Sequence, residues 1–215
     1  MFRVASSRLA QSLFPVRCPG CGREGEPACA ECIGLVERAP QLAPPLGIDQ
    51  WIAPYAYDGV VRDIVARVKY RNQRHALEWL GAEISRAGAN ACRRAEVEVV
   101  TWIPTTRAHR RARGFDHAEL LAHEVARGLG LPCRRLLFRV DDLAQTGRSA
   151  AQRHHGPEIG AFQDASRARI AIVDDVATTG ATLRAAAYSL RVAGATSVLA
   201  LTAARTSPTR RKPRD

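Results

Sequence analysis

The spacing of apolar residues predicts alternating strands and helices from about residue 51 to residue 202. Apolar residues three or four positions apart share one face of a helix, whereas short runs of apolar and β-branched residues are typical of buried strands. On this basis, strands are predicted at 51–57, 97–103, 169–173 and 197–202, and helices at 60–70, 76–87, 117–129 and 182–193. Strands that alternate with helices favour an α/β fold, with helices on both faces of a mainly parallel sheet.

A different segment precedes this pattern and contains two Cys-X-X-Cys pairs. One pair is Cys18 and Cys21, and the other is Cys29 and Cys32. Each pair forms a turn that directs two thiolates at one ion, so the four together suit tetrahedral zinc and leave no coordination position for water. We therefore predict a structural Zn²⁺ site. The alternatives are two disulfides, which are disfavoured in a chain with no evident secretion signal, and a redox pair, which needs only one Cys-X-X-Cys.

A proline-rich stretch at 39–45 separates the cysteine segment from the α/β pattern. It predicts a zinc-binding module with its linker at 1–50, a larger domain at 51–205 and a basic flexible tail at 206–215. A short helix is predicted at 33–37. Because so short a module cannot build a core of its own, we expect metal binding to supply most of its folding free energy.

The charge balance indicates anionic partners. The 215 residues include 32 Lys and Arg against 21 Asp and Glu, which gives a formal net charge of +11. Lys69 and Lys212 are the only lysines, and the planar guanidinium of arginine suits phosphate oxygens. Codon bias is an alternative reason for arginine over lysine, but it does not explain the positive surplus. No apolar run reaches the length of a membrane span, so we expect a cytoplasmic protein without membrane insertion.

The stretch 170–183 has the composition of a phosphate-binding loop. An apolar strand leads into two aspartates, a loop of small hydroxyl residues follows, and a helix begins directly after it. In an open α/β sheet, ligands bind beyond the carboxyl ends of the strands, and amides at a helix N-terminus can hold a phosphate. Because carboxylates suit ribose hydroxyls, a sugar phosphate accounts for both features. An ordinary threonine-rich turn is the alternative. The candidate binding residues are Asp174, Asp175, Ala177, Thr178, Thr179, Gly180, Ala181 and Thr182.

The same stretch resembles the phosphoribosyl pyrophosphate (PRPP) loop of type I phosphoribosyltransferases. The shared pattern is an apolar strand, Asp-Asp, two variable residues, Thr-Thr-Gly, one further residue and Thr. It is not a P-loop, because no Gly-Lys-Ser/Thr follows. The resemblance implies a type I phosphoribosyltransferase-like fold that binds PRPP together with Mg²⁺, which would bridge the diphosphate and ribose oxygens.

Further motifs resemble the ComF family of competence-associated, phosphoribosyltransferase-like proteins, and the similarity extends over nearly the whole chain. After the cysteine pairs come Tyr55-Ala-Tyr-Asp-Gly59, Trp102-Ile-Pro-Thr-Thr-Arg107 and Arg110-Arg-Ala-Arg-Gly-Phe-Asp116. The family usually has Arg-Gly-Phe-Asn-Gln where this chain ends the motif with Asp116 and His117. Asp116 still suits the N-cap of the helix 117–129, with Glu119 at the capping-box spacing.

The resemblance also implies roles for the motif around Arg107. Residues 103–107 match the pyrophosphate loop of the family, so Thr105, Thr106 and Arg107 would face the diphosphate. The arginines that follow are candidates for contacts with diphosphate or with nucleic-acid phosphates, and a solvated basic face is the alternative. These nucleic-acid candidates are Arg110, Arg111 and Arg113.

A mobile loop over the substrate is implied at 142–155. Its working side chains would be Gln145, Arg148 and Arg153. If the protein catalyses transfer, a nucleophile displaces pyrophosphate from the anomeric carbon, and Arg107 and Arg148 are the catalytic candidates because they would stabilise the departing charge.

The resemblance leaves three functions open. The first is a PRPP-binding protein of natural transformation, which handles single-stranded DNA beside the competence DNA-translocation machinery. The second is a genuine phosphoribosyltransferase of nucleotide salvage or biosynthesis with an unknown acceptor, and the third is a non-catalytic PRPP sensor. For the first, basic residues at the carboxyl end and a few aromatic rings are candidate DNA contacts, although the tail equally suits a solubilising end. These residues are Arg205, Arg210, Arg211, Lys212 and Arg214, and Trp51, Tyr55, Tyr57, Tyr70 and Trp79.

Overall fold

The structure, a computed structural model, describes residues 17–24, 28–71, 74–140 and 159–206. The helices are α1 (Ala30–Gly34), α2 (Gly59–Arg71), α3 (Arg74–Arg94), α4 (Arg107–Arg113), α5 (His117–Leu129) and α6 (Ala181–Val192). The strands are β1 (Gln50–Ile52), β2 (Tyr55–Ala56), β3 (Val99–Trp102), β4 (Leu137–Arg139), β5 (Ile159–Ala161), β6 (Arg169–Ala177) and β7 (Ser197–Arg205). A 3₁₀ turn at Gln163–Ala165 precedes β6.

A parallel sheet forms the centre of the molecule. Its strand order is β1-β7-β6-β3, and β2 also pairs with β7. Every pair in this sheet is parallel. The central strands β6 and β7 are buried along most of their length, which explains their nearly continuous apolar sequences. The predicted α/β class with a mainly parallel sheet is confirmed.

Both faces of the sheet are covered. On one face α2, α3 and α5 contribute Ile64, Leu80 and Leu121 to the core. On the other face α6 and the antiparallel β4–β5 hairpin contribute side chains such as Leu183 and Leu137. Helices α3 and α5 cross closely at Gly81, where an added Cβ would lie 2.5 Å from the Cβ of Glu124. The predicted arrangement of helices on both faces is therefore confirmed.

The carboxyl end of β6 lies further along the chain than the hydrophobic pattern predicts. The predicted strand stops just before the two aspartates, but β6 continues to Ala177. The reason is its ladder with β7, in which Asp174 lies beside Thr202 and Ala177 beside Arg205. Both aspartates are therefore strand residues, and the loop begins after them.

Other elements also differ from the prediction. The strand predicted at 51–57 is split into β1 and β2, because Pro54 lies between them and has no N–H to donate to the ladder. The short helix predicted at 33–37 is found instead as α1, directly after Cys29. The arginine-rich stretch after β3 forms α4, which has no apolar stripe from which a helix could be predicted.

The segment between the cysteine module and the sheet is packed against the larger domain. Pro45 lies against Gly180 at the start of α6. Asp49 accepts hydrogen bonds from Arg191 at 2.6 Å and from the hydroxyl of Ser197 at 2.8 Å. The division of the chain near residue 50 stays a prediction. Among the described helices, none is both long enough and apolar enough to cross a bilayer.

Candidate functional site

Two of the predicted ligand-binding stretches meet at the carboxyl edge of the sheet. Strands β3 and β6 are parallel neighbours in which Trp102 lies beside Val173. The N–H of Ile103 donates to the Val173 carbonyl at 3.2 Å, which continues this contact past the end of β3. Stretches 103–107 and 174–182 therefore leave the sheet side by side, where ligands of open parallel sheets bind.

The loop after β6 leads directly into the N-terminus of α6. Thr178 and Thr179 are exposed, and Thr179 Oγ1 accepts from the Ala181 amide at 3.3 Å. Gly180 has a φ of 70°, and an added Cβ would lie 2.7 Å from Pro45 Cγ. Both the left-handed backbone conformation and the close approach of Pro45 therefore favour glycine at this position. The first-turn amides of α6 lack carbonyl partners within the helix, and this end suits an anion.

The two aspartates at the end of β6 have different surroundings. The carboxylate of Asp175 is buried, with 5% of the residue exposed, and its Oδ2 lies 2.6 Å from Nε2 of His117 on α5. Asp174 is half-buried, and its Oδ1 accepts the Asp175 amide at 2.9 Å. The pair with His117 therefore links β6 to the helix α5. Sequence reasoning missed this role of His117, and the only signal was histidine where the resembling family usually has glutamine.

Asp116 connects the start of α5 to the 103–107 stretch. Its Oδ1 accepts from the amides of Ala118 at 3.1 Å and Glu119 at 3.5 Å, which confirms the predicted N-cap. Its Oδ2 accepts the amide of Thr105 at 3.0 Å. Sequence reasoning also missed Arg139, whose Nε donates to the Pro104 carbonyl at 2.8 Å. The 103–107 stretch is thus anchored from two sides.

The predicted basic cluster lies on α4, directly after this stretch. Arg107 is half-buried at the start of the helix, and Arg110 and Arg111 are exposed. Residues three and four positions apart share one face of a helix, so these three guanidinium groups lie on one side of α4. For Arg113 the structure describes the backbone but not the side chain.

Several predicted residues lie outside the described residues. They are the whole stretch 142–155 with Gln145, Arg148 and Arg153, and the tail residues Arg210, Arg211, Lys212 and Arg214. Arg205, in contrast, is described, and its assignment to a flexible basic arm is wrong. It is the last residue of β7 and is buried, because β7 pairs with both β2 and β6 at this position.

The aromatic candidates for DNA stacking are largely engaged within the protein. Tyr55 is buried and stacks on Trp79, with ring centroids 5.7 Å apart and planes 8° apart. The Tyr55 hydroxyl also donates to Glu83 at 2.7 Å. The Trp51 ring lies against the guanidinium of Arg205. These three rings are not an open platform for bases.

The four cysteines of the N-terminal segment converge on one point. Their sulfur atoms all lie within 4.8 Å of one another, and Cys21 and Cys29 Sγ are 3.7 Å apart. Tetrahedral zinc with Zn–S bonds of about 2.3 Å requires sulfurs roughly 3.8 Å apart, so the cluster fits the ion. Cys18, Cys29 and Cys32 are buried, whereas Cys21 is exposed. The predicted four-cysteine site is thereby confirmed as a cluster that can hold a metal such as zinc.

The backbone around Cys18 favours its thiolate form. Burial raises the pKa of the Cys18 thiol, but hydrogen bonds from the backbone of Cys29, Cys21 and Gly20 outweigh burial and lower this pKa to about 6. The pKa of Cys32 is raised by burial and by hydrogen bonding to the neighbouring cysteines. A bound metal ion would replace the hydrogen bonds between the sulfur atoms, because it binds each cysteine as a deprotonated thiolate.

Two curated proteins are similar to most of this chain. Competence protein F of Haemophilus influenzae is 27% identical over 195 residues, which cover 84% of this chain and 80% of that protein. Competence protein ComFC of Bacillus subtilis is 27% identical over 175 residues, which cover 80% of this chain and 70% of that protein. No family model matches the chain.

Solved structures with similar folds include phosphoribosyl-transfer enzymes. A glutamine PRPP amidotransferase from B. subtilis is 26% identical over 58% of this chain, with a TM-score of 0.42, and this chain covers only 25% of that enzyme. A purine phosphoribosyltransferase from Pyrococcus horikoshii is 17% identical over 62% of this chain and 95% of that chain, with a TM-score of 0.36. The similarity to the two curated proteins confirms the resemblance to the ComF family, and this chain is similar to ComF competence proteins over most of its length.

Proposed function

We propose that this protein binds Mg²⁺-PRPP at the carboxyl edge of its parallel sheet. The observation that carries the proposal is the convergence of the 103–107 and 174–182 stretches at that edge. One stretch ends in an arginine, and the other combines carboxylates with a hydroxyl-rich loop and a helix N-terminus. A ligand with a diphosphate, a ribose and a second phosphate matches these groups in chemistry.

Within this proposal the parts of PRPP are held by different residues. The loop residues Thr178, Thr179, Gly180, Ala181 and Thr182 bind the 5-phosphate, and Ala177 brings the strand backbone up to them. Asp174 accepts hydrogen bonds from the ribose hydroxyls, whereas Asp175 acts chiefly through His117, because its carboxylate is buried against that ring. Thr105, Thr106 and Arg107 face the diphosphate. Mg²⁺, when bound together with PRPP, would neutralise charge on the diphosphate.

Asp174→Asn is expected to weaken Mg²⁺-PRPP binding about tenfold or more, since an amide replaces a charged acceptor with a neutral one. The unfolding temperature is expected to stay close to that of the wild type, because Asp174 is only half-buried. Calorimetric titration measures the affinity, and Asp164→Asn, at an exposed aspartate of the 3₁₀ turn, is the matched control. Equal affinities in both variants would remove Asp174 from the ribose site.

We further propose that the protein acts in the cytoplasm in DNA uptake for natural transformation. It would handle single-stranded DNA beside the competence DNA-translocation machinery. Support comes from the net charge of +11, from Arg110 and Arg111 exposed on α4, and from the names of the two curated relatives. Because the rings of Trp51, Tyr55 and Trp79 are engaged within the protein, we expect this binding to rest on phosphate contacts and therefore to be sensitive to salt.

The double variant Arg110→Gln, Arg111→Gln is expected to bind single-stranded DNA with a shallower salt dependence. A plot of the logarithm of the association constant against the logarithm of the salt concentration has a negative slope. This slope should become less negative by about 0.7 for each DNA phosphate that the variant no longer neutralises. Fluorescence anisotropy with a labelled oligonucleotide at several salt concentrations measures this slope. Arg94→Gln, at an exposed arginine near the other edge of the sheet, should leave it unchanged. A slope that is the same in all three proteins would place DNA binding elsewhere.

The alternatives are a genuine phosphoribosyltransferase and a non-catalytic PRPP sensor. In transfer, the acceptor forms a bond to the anomeric carbon as the bond to pyrophosphate breaks, and Arg107 with Arg148 would stabilise the leaving group. Acceptor-dependent release of pyrophosphate would favour the enzyme. PRPP binding with neither pyrophosphate release nor DNA binding would favour the sensor.

A further inference from the structure

Arg205 is a buried cation whose side chain lacks the polar contacts that such groups usually have. Only 2% of the residue is exposed, and its Nε and Nη1 have no hydrogen-bond partner among the described residues. The guanidinium lies over the ring of Trp51, whose centroid is 4.8 Å from Cζ. Burial lowers the pKa of this guanidinium, which indicates that its charge is poorly compensated.

Two other buried polar side chains of the sheet do have hydrogen-bond partners. Thr202 Oγ1 accepts the Trp51 Nε1–H at 3.1 Å, and Thr101 Oγ1 accepts the amide of Leu136 at 3.1 Å. An uncompensated buried charge is destabilising, and an apolar side chain of similar volume usually replaces it without loss of stability. Contact with an aromatic ring offsets only part of the cost. The missing hydrogen bonds of Arg205 therefore point to a ligand that supplies an anionic acceptor.

The position of Arg205 indicates where this ligand binds. Arg205 lies between β2 and β6, directly beside Ala177, after which the Thr178–Thr182 loop begins. The next residue, Thr206, donates its hydroxyl hydrogen to the Thr178 carbonyl at 3.0 Å. The guanidinium thus belongs to the carboxyl end of the sheet and adjoins the proposed PRPP loop, although none of the motifs that indicate that loop includes it.

We propose that Arg205 and Trp51 form a second anion subsite beside the Thr178–Thr182 loop, which takes a phosphate-class oxyanion. Trp51 is held by Thr202 and fixes the plane of the guanidinium, whose N–H groups donate to the phosphate oxygens. The phosphate belongs either to PRPP or to a separate phosphorylated molecule that binds next to it. This inference deepens the proposed PRPP function, but the subsite itself rests on the buried guanidinium and is testable with inorganic phosphate alone.

Arg205→Met is the main test, because methionine fills a similar volume without charge. Inorganic phosphate is titrated into wild type and variant, with chloride keeping the ionic strength constant. The phosphate affinity of the Arg205 subsite is expected to fall about tenfold or more in the variant. Without phosphate, the variant is expected to unfold at the same temperature as the wild type or higher. Equal phosphate affinities in the two proteins would overturn the proposal.

A second measurement does not depend on the folding of that variant. Phosphate is expected to change the tryptophan fluorescence of the wild-type chain, and Trp51→Phe should abolish the change while Trp79→Phe retains it. A change that survives in Trp51→Phe would contradict the subsite.

The source of the phosphate is decided by repeating the titration in the presence of saturating Mg²⁺-PRPP. If PRPP excludes inorganic phosphate from the subsite, the subsite holds a phosphate of PRPP. If phosphate still binds, it represents a separate phosphorylated molecule. Should PRPP fail to bind the wild type at all, the proposed PRPP function fails, while the phosphate comparison between wild type and Arg205→Met still decides the subsite.

Discussion

Cys18→Ser is expected to reduce the bound zinc from about one ion per chain to nearly none. Cys18 is fully buried, and its Sγ also accepts the amide of Cys29 at 3.4 Å, so serine replaces a thiolate ligand that the backbone holds in place. Because the short module has few apolar neighbours of its own, removal of the ion should expose it to proteolysis while the sheet stays folded. Metal analysis and limited proteolysis measure the two effects.

Cys92→Ser provides the matched control for this prediction. Cys92 is buried in the core of the larger domain, away from the cluster, and burial raises the pKa of its thiol to about 11. The control variant should keep its zinc although it is somewhat less stable. Full zinc content in Cys18→Ser would contradict the four-thiolate site.

His117→Leu is expected to lower the free energy of unfolding by about 3 kcal/mol at neutral pH. The substitution removes the Nε2 group from the buried carboxylate of Asp175, which lies 2.6 Å away, and places an apolar side chain beside it. His117→Gln retains a hydrogen-bond donor and should be destabilised by only about 1 kcal/mol. Urea unfolding followed by circular dichroism compares the variants. Equal destabilisation of both would show that packing of the ring, rather than its contact with Asp175, stabilises α5.

The difference between these two variants also bears on ligand binding. If His117 holds Asp175 in position at the end of β6, His117→Leu should weaken PRPP binding at temperatures where it is still folded, and His117→Gln should largely preserve it.

The elements that the sequence predicts correctly are those defined by residues close together in the chain. The start of α5 follows from Asp116 and the spacing of Glu119, and β6 and β7 follow from apolar runs. The end of β6 was not predictable, because it depends on how far the ladder with β7 continues. Helix α4 was missed, since its arginines carry no apolar periodicity.

The candidate site was predictable only where a motif is contiguous in the chain. The cysteine pairs predicted the cluster, because their spacing determines the turn geometry. The pair of His117 with Asp175 joins residues far apart in sequence, and neither segment by itself predicts the contact. In the sequence, Arg205 resembles the basic residues of the tail that follows it. In the structure it is buried, because it lies in β7 between β2 and β6. Such contacts depend on tertiary structure and have no local signal.

Calorimetric titration of PRPP into the zinc-loaded wild-type chain, with and without Mg²⁺, tests the central proposal most directly. The predicted result is one site per chain with a dissociation constant between about 1 µM and 1 mM, which weakens when Mg²⁺ is omitted. No binding by the folded protein in the presence of Mg²⁺ would contradict the proposal.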